Sequence, residues 1–219
     1  HIGSQLTETK PFVDALDRVM GMIAELKKRG IDLKHIDIGG GLGVCYKDET
    51  PPSVEEYANA LKPALQKLGL KVYMEPGRSI SANAGVLLTK VDLLKPTNHR
   101  NFAIIDAAMN DLIRPSLYEA WMDIQSVDAN TDVNEKAWDV VGAICETGDF
   151  LGKDRKLALK ENDVLAVLGA GAYGFVMSSN YNSRGRAAEV MVNADQAHLI
   201  RERETIESLW DKERLLPEE

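Results

Sequence analysis

Cysteine is scarce in this chain, with only Cys45 and Cys145 among 219 residues. Neither has a Cys-x-x-Cys or metal-type neighbour, so neither a disulfide framework nor a zinc site is indicated. A reducing, cytoplasmic setting is the expectation. Long apolar runs are missing too, and none approaches the ~20 residues a membrane span needs. Basic residues hold no surplus: 26 Lys and Arg stand against 34 Asp and Glu, for a net charge of −8. The two signs are interspersed. Nucleic acids and anionic membranes both demand basic stripes, so neither is an expected partner. The chain lacks internal repeats, low-complexity segments, a Ser-His-Asp order, a Walker lysine and a metal-ligand cluster, and no metal is expected. His35, His99 and His198 are scattered and read as structural. The first residue is His rather than Met, with no signal peptide before it. The chain is therefore expected to be the later part of a longer protein.

What is present is a 44% apolar composition in a chain long enough for one large domain or two modest ones. Residues 11–29 place Phe12, Val13, Leu16, Val19, Met20, Ile23 and Leu26 at helical spacing, with Gly30 as the stop. Residues 35–38 read as a strand. Ser53-Val54-Glu55-Glu56 is a capping box, in which the Ser53 hydroxyl and Glu56 carboxylate satisfy each other's exposed amides. The helix it opens is expected to bury Val54, Tyr57, Leu61, Leu65 and Leu68 and to close at Gly69. Lys71-Val72-Tyr73-Met74 is the next strand. Such alternation belongs to a parallel sheet or barrel, folds that place their sites where strands end. Past residue 85 the pattern changes. Gly85–Leu94, Phe102–Asp106, Trp138–Cys145, Val164–Leu168 and Ala188–Val192 read as strands, and a helix is expected around Arg203–Leu215. Residues 1–85 are thus expected to form an α/β domain and 86–219 a mainly β domain with a terminal helix.

Chemistry concentrates at the strand ends. Ile36-Asp37-Ile38 runs into Gly39-Gly40-Gly41-Leu42-Gly43, four glycines within five residues. Glycine packs nothing inside a strand, so the cluster implies close backbone approach. It reads either as a tight turn or as a phosphate cradle of backbone N–H groups. Glu75-Pro76-Gly77-Arg78 reads either as a surface turn with a weak ion pair or as an acid facing a cationic ring nitrogen beside an anion-gripping arginine. Cys145, at a strand end before Glu146, reads by default as a small buried residue and otherwise as an acid or nucleophile. Gly169-Ala170-Gly171-Ala172-Tyr173-Gly174 is a second glycine-rich loop. Arg114 and Tyr118 sit four apart.

In this order, six stretches resemble the diaminopimelate decarboxylases. They are His1-Ile2-Gly3-Ser4, Gly39–Gly43, Glu75–Arg78, Arg114-Pro115-Ser116-Leu117-Tyr118, Cys145-Glu146-Thr147-Gly148-Asp149 and Gly171–Gly174. These decarboxylases are pyridoxal-phosphate enzymes of the alanine-racemase-like, ornithine-decarboxylase fold group, with a (β/α)8 barrel and a β domain. The resemblance implies that residues 1–85 are the later part of that barrel. It also implies removal of CO2 from meso-diaminopimelate to give L-lysine, in lysine biosynthesis. His1 would stack on the cofactor ring. Ser4, Gly40, Gly41 and Tyr173 would hold its phosphate. Glu75, carried by Pro76 and Gly77, would pair with the ring nitrogen. Arg78 would contact both the cofactor and the amino-acid substrate, Arg114, Tyr118 and Tyr173 would bind that substrate, Glu146 would recognise its far amino group, and Cys145 would deliver a proton to the carbon that lost CO2. In the family, Cys145 and Glu146 reach the site from a second subunit, implying a homodimer with shared active sites. The family's Schiff-base lysine lies on an early barrel strand, in a missing N-terminal barrel segment, so the isolated chain is expected to be inactive. Sister decarboxylases of ornithine, arginine or carboxynorspermidine, and a non-catalytic fragment that only associates, are the alternatives. Thr147 stands where serine is common in the family.

Overall fold

The computed structural model describes residues 1–128 and 132–217, so parts of the expected second domain (129–131 and 218–219) lie outside the described residues. The chain divides into two compact units, His1–Gly85 and Val86–Glu219.

In the first unit α1 (Lys10–Lys28) precedes β1 (His35–Asp37), and α2 (Val54–Leu68) precedes β2 (Lys71–Tyr73) and a short α3 (Arg78–Ser81). The two strands pair in parallel, Ile36 opposite Val72. The apolar stripes of the helices meet over β1, where Phe12, Leu16, Ile36, Tyr57 and Leu61 form a buried cluster. Phe12 and Tyr57 pack edge to face with ring centroids 4.9 Å apart, an arrangement the ring quadrupoles favour. The capping box forms: Ser53 Oγ accepts from the Glu56 amide at 3.1 Å and Glu56 Oε2 accepts from the Ser53 amide at 2.7 Å. Gly69 ends α2 in the left-handed region at φ 64°, where a Cβ would be strained. Val54 departs from expectation, being 71% exposed. It occupies the first helical position, before the stripe turns inward at Tyr57.

The second unit is mainly β. Its strands are β3 (Leu87–Pro96), β4 (Asn101–Ile105), β5 (Ile124–Ser126), β6 (Lys136–Val141), β7 (Phe150–Leu157) and β8 (Val164–Val167), with a short α4 (Arg114–Tyr118) between β4 and β5. These six form one sheet in the order β5-β8-β3-β4-β6-β7. Only β4 and β6 run parallel; the other neighbours are antiparallel. The end strands β5 and β7 also touch, so the sheet nearly closes on itself. Val91, Ile105, Leu112, Met122, Leu151 and Leu165 are fully buried inside it. β9 (Glu189–Asn193) and β10 (Gln196–Arg201) pair as a separate antiparallel hairpin.

Two expectations are corrected. The strand expected over Trp138–Cys145 stops at Val141, because the following residues wrap around the buried Asp149 carboxylate. The terminal helix over Arg203–Leu215 is absent, and only a single 3-10 turn forms at Glu207–Leu209. Thr205 Oγ1 accepts from the Ser208 amide and Ser208 Oγ donates to Thr205 O, local bonds that compete with helical ones. Ile206, Trp210, Leu215 and Leu216 are all exposed, so no buried face drives propagation beyond one turn.

Candidate functional site

In the first unit the glycine run leaves β1 and threads between two backbone neighbours. The Leu6 amide donates to Gly41 O and the Gly43 amide to Leu6 O, both at 2.9 Å, and the Glu75 amide donates to Gly39 O at 2.9 Å. A Cβ on Gly40 would run into the Glu75 carbonyl, and one on Gly41, at φ 109°, into the Gly3 carbonyl. Backbone packing thus accounts for both glycines as a turn. The same packing leaves donors unspent: among the described residues the Gly40 and Gly41 amides donate to no protein acceptor.

Around this turn the structure brings together Ser4, Tyr46 and Arg78. Arg78 Nε and Nη2 both donate to Ser4 Oγ at 3.2 Å, and Nη1 donates to the Tyr46 hydroxyl at 2.6 Å. Both Ser4 lone pairs are occupied, so its O–H proton is left to donate elsewhere. Tyr46 escaped the sequence reading. Its position three residues beyond Gly43, on the loop leaving the glycine run, was the available signal. Glu49 accepts from the Lys47 and Tyr46 amides at 2.8 and 2.9 Å, and these bonds, the Lys47 one foremost, hold its carboxyl below the ordinary value. Glu75, Pro76 and Gly77 are exposed at the end of β2, and His1, also exposed, lies with its backbone against Gly39. A serine hydroxyl, two loop amides and a guanidinium form a donor set that fits a phosphate, and the Glu75 carboxylate fits a protonated ring nitrogen.

The second unit carries the remaining candidates. Asp149 is 4% exposed and shapes the loop from within: Oδ1 accepts from the Met109 amide and Oδ2 from the Ile144 amide, each at 2.7 Å. This bracing turns Cys145 and Glu146 outward, and both are exposed. The default reading of Cys145 as a buried packing residue is therefore wrong. Ser116 on α4 donates to Gly148 O, tying Arg114–Tyr118 to the same loop. Tyr118 is 62% exposed, whereas Arg114 is 8% exposed, with Nη1 at 3.3 Å from Met122 Sδ. Tyr173 sits at φ 59°, a left-handed conformation costly for a bulky side chain and most often retained at functional sites.

Tyr181, also passed over in the sequence, donates from its hydroxyl to Glu146 Oε2 at 3.1 Å. Its flanking asparagines, which tolerate left-handed turns, were the available signal. Behind it Arg184 Nε donates to the buried Asn110 Oδ1 at 3.0 Å. Burial pushes the Asp111 carboxyl above its ordinary value, against a bond from the Ala108 amide and the charge of Arg184. Burial pushes Asp106 upward as well, but bonds from the Thr89 hydroxyl and Lys90 amide outweigh it and leave that carboxyl lowered.

Residues 13–171 match the family model described as the pyridoxal-dependent decarboxylase, C-terminal sheet domain, and the chain belongs to that family. The diaminopimelate decarboxylase of Pseudomonas aeruginosa is 59% identical over 218 residues, which is 100% of this chain and 52% of the relative. The solved structure of M. jannaschii diaminopimelate decarboxylase in co-complex with L-lysine superposes with a TM-score of 0.94 at 39% identity, over 99% of this chain and 51% of that one. Helicobacter pylori diaminopimelate decarboxylase complexed with L-lysine gives 0.91 at 41% identity, over 97% and 52%. The chain spans about half the length of the curated relatives it matches.

Proposed function

We propose that this chain is the later part of a pyridoxal-phosphate-dependent diaminopimelate decarboxylase, and that residues 1–85 belong to its (β/α)8 barrel. The parent enzyme removes CO2 from meso-diaminopimelate and releases L-lysine. The observation that carries this reading is 59% identity to such an enzyme across 100% of the chain.

Ser4 O–H and the Gly40 and Gly41 amides bind the cofactor phosphate, and Tyr173 adds a hydroxyl. His1 covers the ring face. Glu75, held at the strand end by Pro76 and Gly77, keeps the ring nitrogen protonated. Pyridoxal phosphate, when bound, supplies an electron sink for the bond that breaks. Arg78, Arg114, Tyr118 and Tyr173 bind the substrate, the arginines at its carboxylate end, and Glu146 accepts from its distal ammonium. The Cys145 thiol gives its proton to the α-carbon after CO2 departs. Cys145 and Glu146 serve the site of a second subunit, so the parent acts as a homodimer. Two exposed free thiols fit a reducing cytoplasm. No helix among the described residues is long and apolar enough to cross a membrane.

The test is CO2 release by the full-length protein loaded with pyridoxal phosphate. The expected result is L-lysine from meso-diaminopimelate at a kcat/KM far above those for ornithine and arginine. Preference for either of those monocarboxylic substrates overturns the substrate assignment.

A further inference from the structure

Tyr181 and Glu146 are 35 positions apart, and both side chains are exposed, yet the Tyr181 hydroxyl donates to Glu146 Oε2 at 3.1 Å. Burial does not force this meeting. The backbone on each side arranges it. On the Glu146 side, its amide donates to Ile144 O at 2.8 Å and its carbonyl accepts from the Asp149 amide at 3.0 Å. On the Tyr181 side, the Ser179 amide donates to the Asn110 carbonyl at 2.9 Å, and Arg184 Nε donates to the Asn110 side chain at 3.0 Å. Asn110 is 1% exposed, so the tyrosine's turn is anchored to the interior of the unit. The turn itself holds Asn182 at φ 63° and Ser183 at φ 53°. Consecutive left-handed residues other than glycine persist only where surrounding contacts impose them.

We propose that Tyr181 is a positioning residue for substrate recognition: its hydroxyl fixes one oxygen of the Glu146 carboxylate and leaves the other aimed at the substrate's distal ammonium. This rests on the role given to Glu146 above. An exposed glutamate otherwise samples many rotamers, and each wrong one must be abandoned on binding. The hydrogen bond and charge of Glu146 hold the Tyr181 hydroxyl above its ordinary value, so it stays a donor at neutral pH. The Tyr181 hydroxyl bonds to Glu146 and to none of the phosphate donors, so its loss is expected to fall on recognition of the distal amine.

The experiment uses the full-length holoenzyme and two ligands, L-lysine and ε-aminocaproate, which is lysine without the α-ammonium. Calorimetry gives Kd for wild type, Tyr181→Phe, Glu146→Gln and the double variant. Tyr181→Phe is expected to weaken L-lysine about fivefold to tenfold, the scale of one charge-assisted hydrogen bond, with ε-aminocaproate changed less than about twofold. The double variant is expected to bind L-lysine no more weakly than Glu146→Gln alone. In turnover, Tyr181→Phe is expected to raise KM for diaminopimelate with kcat nearly unchanged. Equal weakening of both ligands, losses that multiply in the double variant, or a wild-type-like Tyr181→Phe overturns the positioning role. If Glu146→Gln still discriminates between the ligands in that last case, the reading of Glu146 stands. If Glu146→Gln weakens neither ligand selectively, that reading falls and the proposal with it.

Discussion

Cys145 is turned outward by a buried neighbour four positions on, and its chemistry depends on that exposure. In the whole enzyme Cys145→Ala is expected to lower kcat by at least about tenfold while leaving the cofactor's visible absorbance intact, as for loss of a proton donor. Loss of the absorbance band would mean that Cys145 supports cofactor binding rather than proton delivery. Arg114 poses the opposite question, because it is 8% exposed. Arg114→Ala is expected to raise KM for diaminopimelate far more than for a substrate lacking the distal carboxylate, and equal losses on both would leave it a packing role. Glu204 offers a pH test. Arg186's guanidinium, then its amide, then the Asn180 side chain bind the carboxylate and lower it from 4.5 to about 2. A folded value below the unfolded one contributes stability that is complete above about pH 4.5 and is lost as pH falls towards 2. A carboxyl-carbon NMR titration is expected to place its midpoint near 2; a midpoint near 4.5 would mean the clamp is open in solution.

Among the elements, the glycines separate two kinds of constraint. Gly40→Ala drives a Cβ into the Glu75 carbonyl, whereas a Cβ at Gly69 meets nothing within 4 Å and suffers only its left-handed backbone. Urea denaturation is expected to show a larger loss for Gly40→Ala, about 1–3 kcal/mol, than for Gly69→Ala, about 1 kcal/mol. Equal losses would mean that β1 and β2 can part freely. The ends of α2 were legible because they are local: Ser53, Glu56 and Gly69 make their bonds within a few residues. The phosphate-type turn was legible as a break in a strand, but not as a packing necessity, because Glu75 and Gly3 come from elsewhere in the chain. β7 stayed hidden because Gly152 and the left-handed Asp154, at φ 52°, interrupt its alternation. The terminal helix was misread because its spacing of Ile206, Leu209, Trp210 and Leu215 counts only where a surface receives it. Tyr181 belongs to this class as well: nothing near it in sequence announces Glu146.

For the whole molecule, the two units divide the proposed chemistry between them. The first carries all the phosphate donors but Tyr173, and the ring-nitrogen carboxylate; the second carries the proton donor and most of the groups for the substrate. The resemblance places the cofactor-anchoring lysine in neither. The most direct test is reconstitution. This chain and the segment that precedes it in full-length relatives are expressed separately, mixed with pyridoxal phosphate, and treated with borohydride or with substrate. The account predicts no borohydride-trapped cofactor on this chain alone, and CO2 release from meso-diaminopimelate with L-lysine as product once the preceding segment is added. Trapped cofactor or turnover on the chain alone, or a mixture that prefers ornithine or arginine, would contradict it.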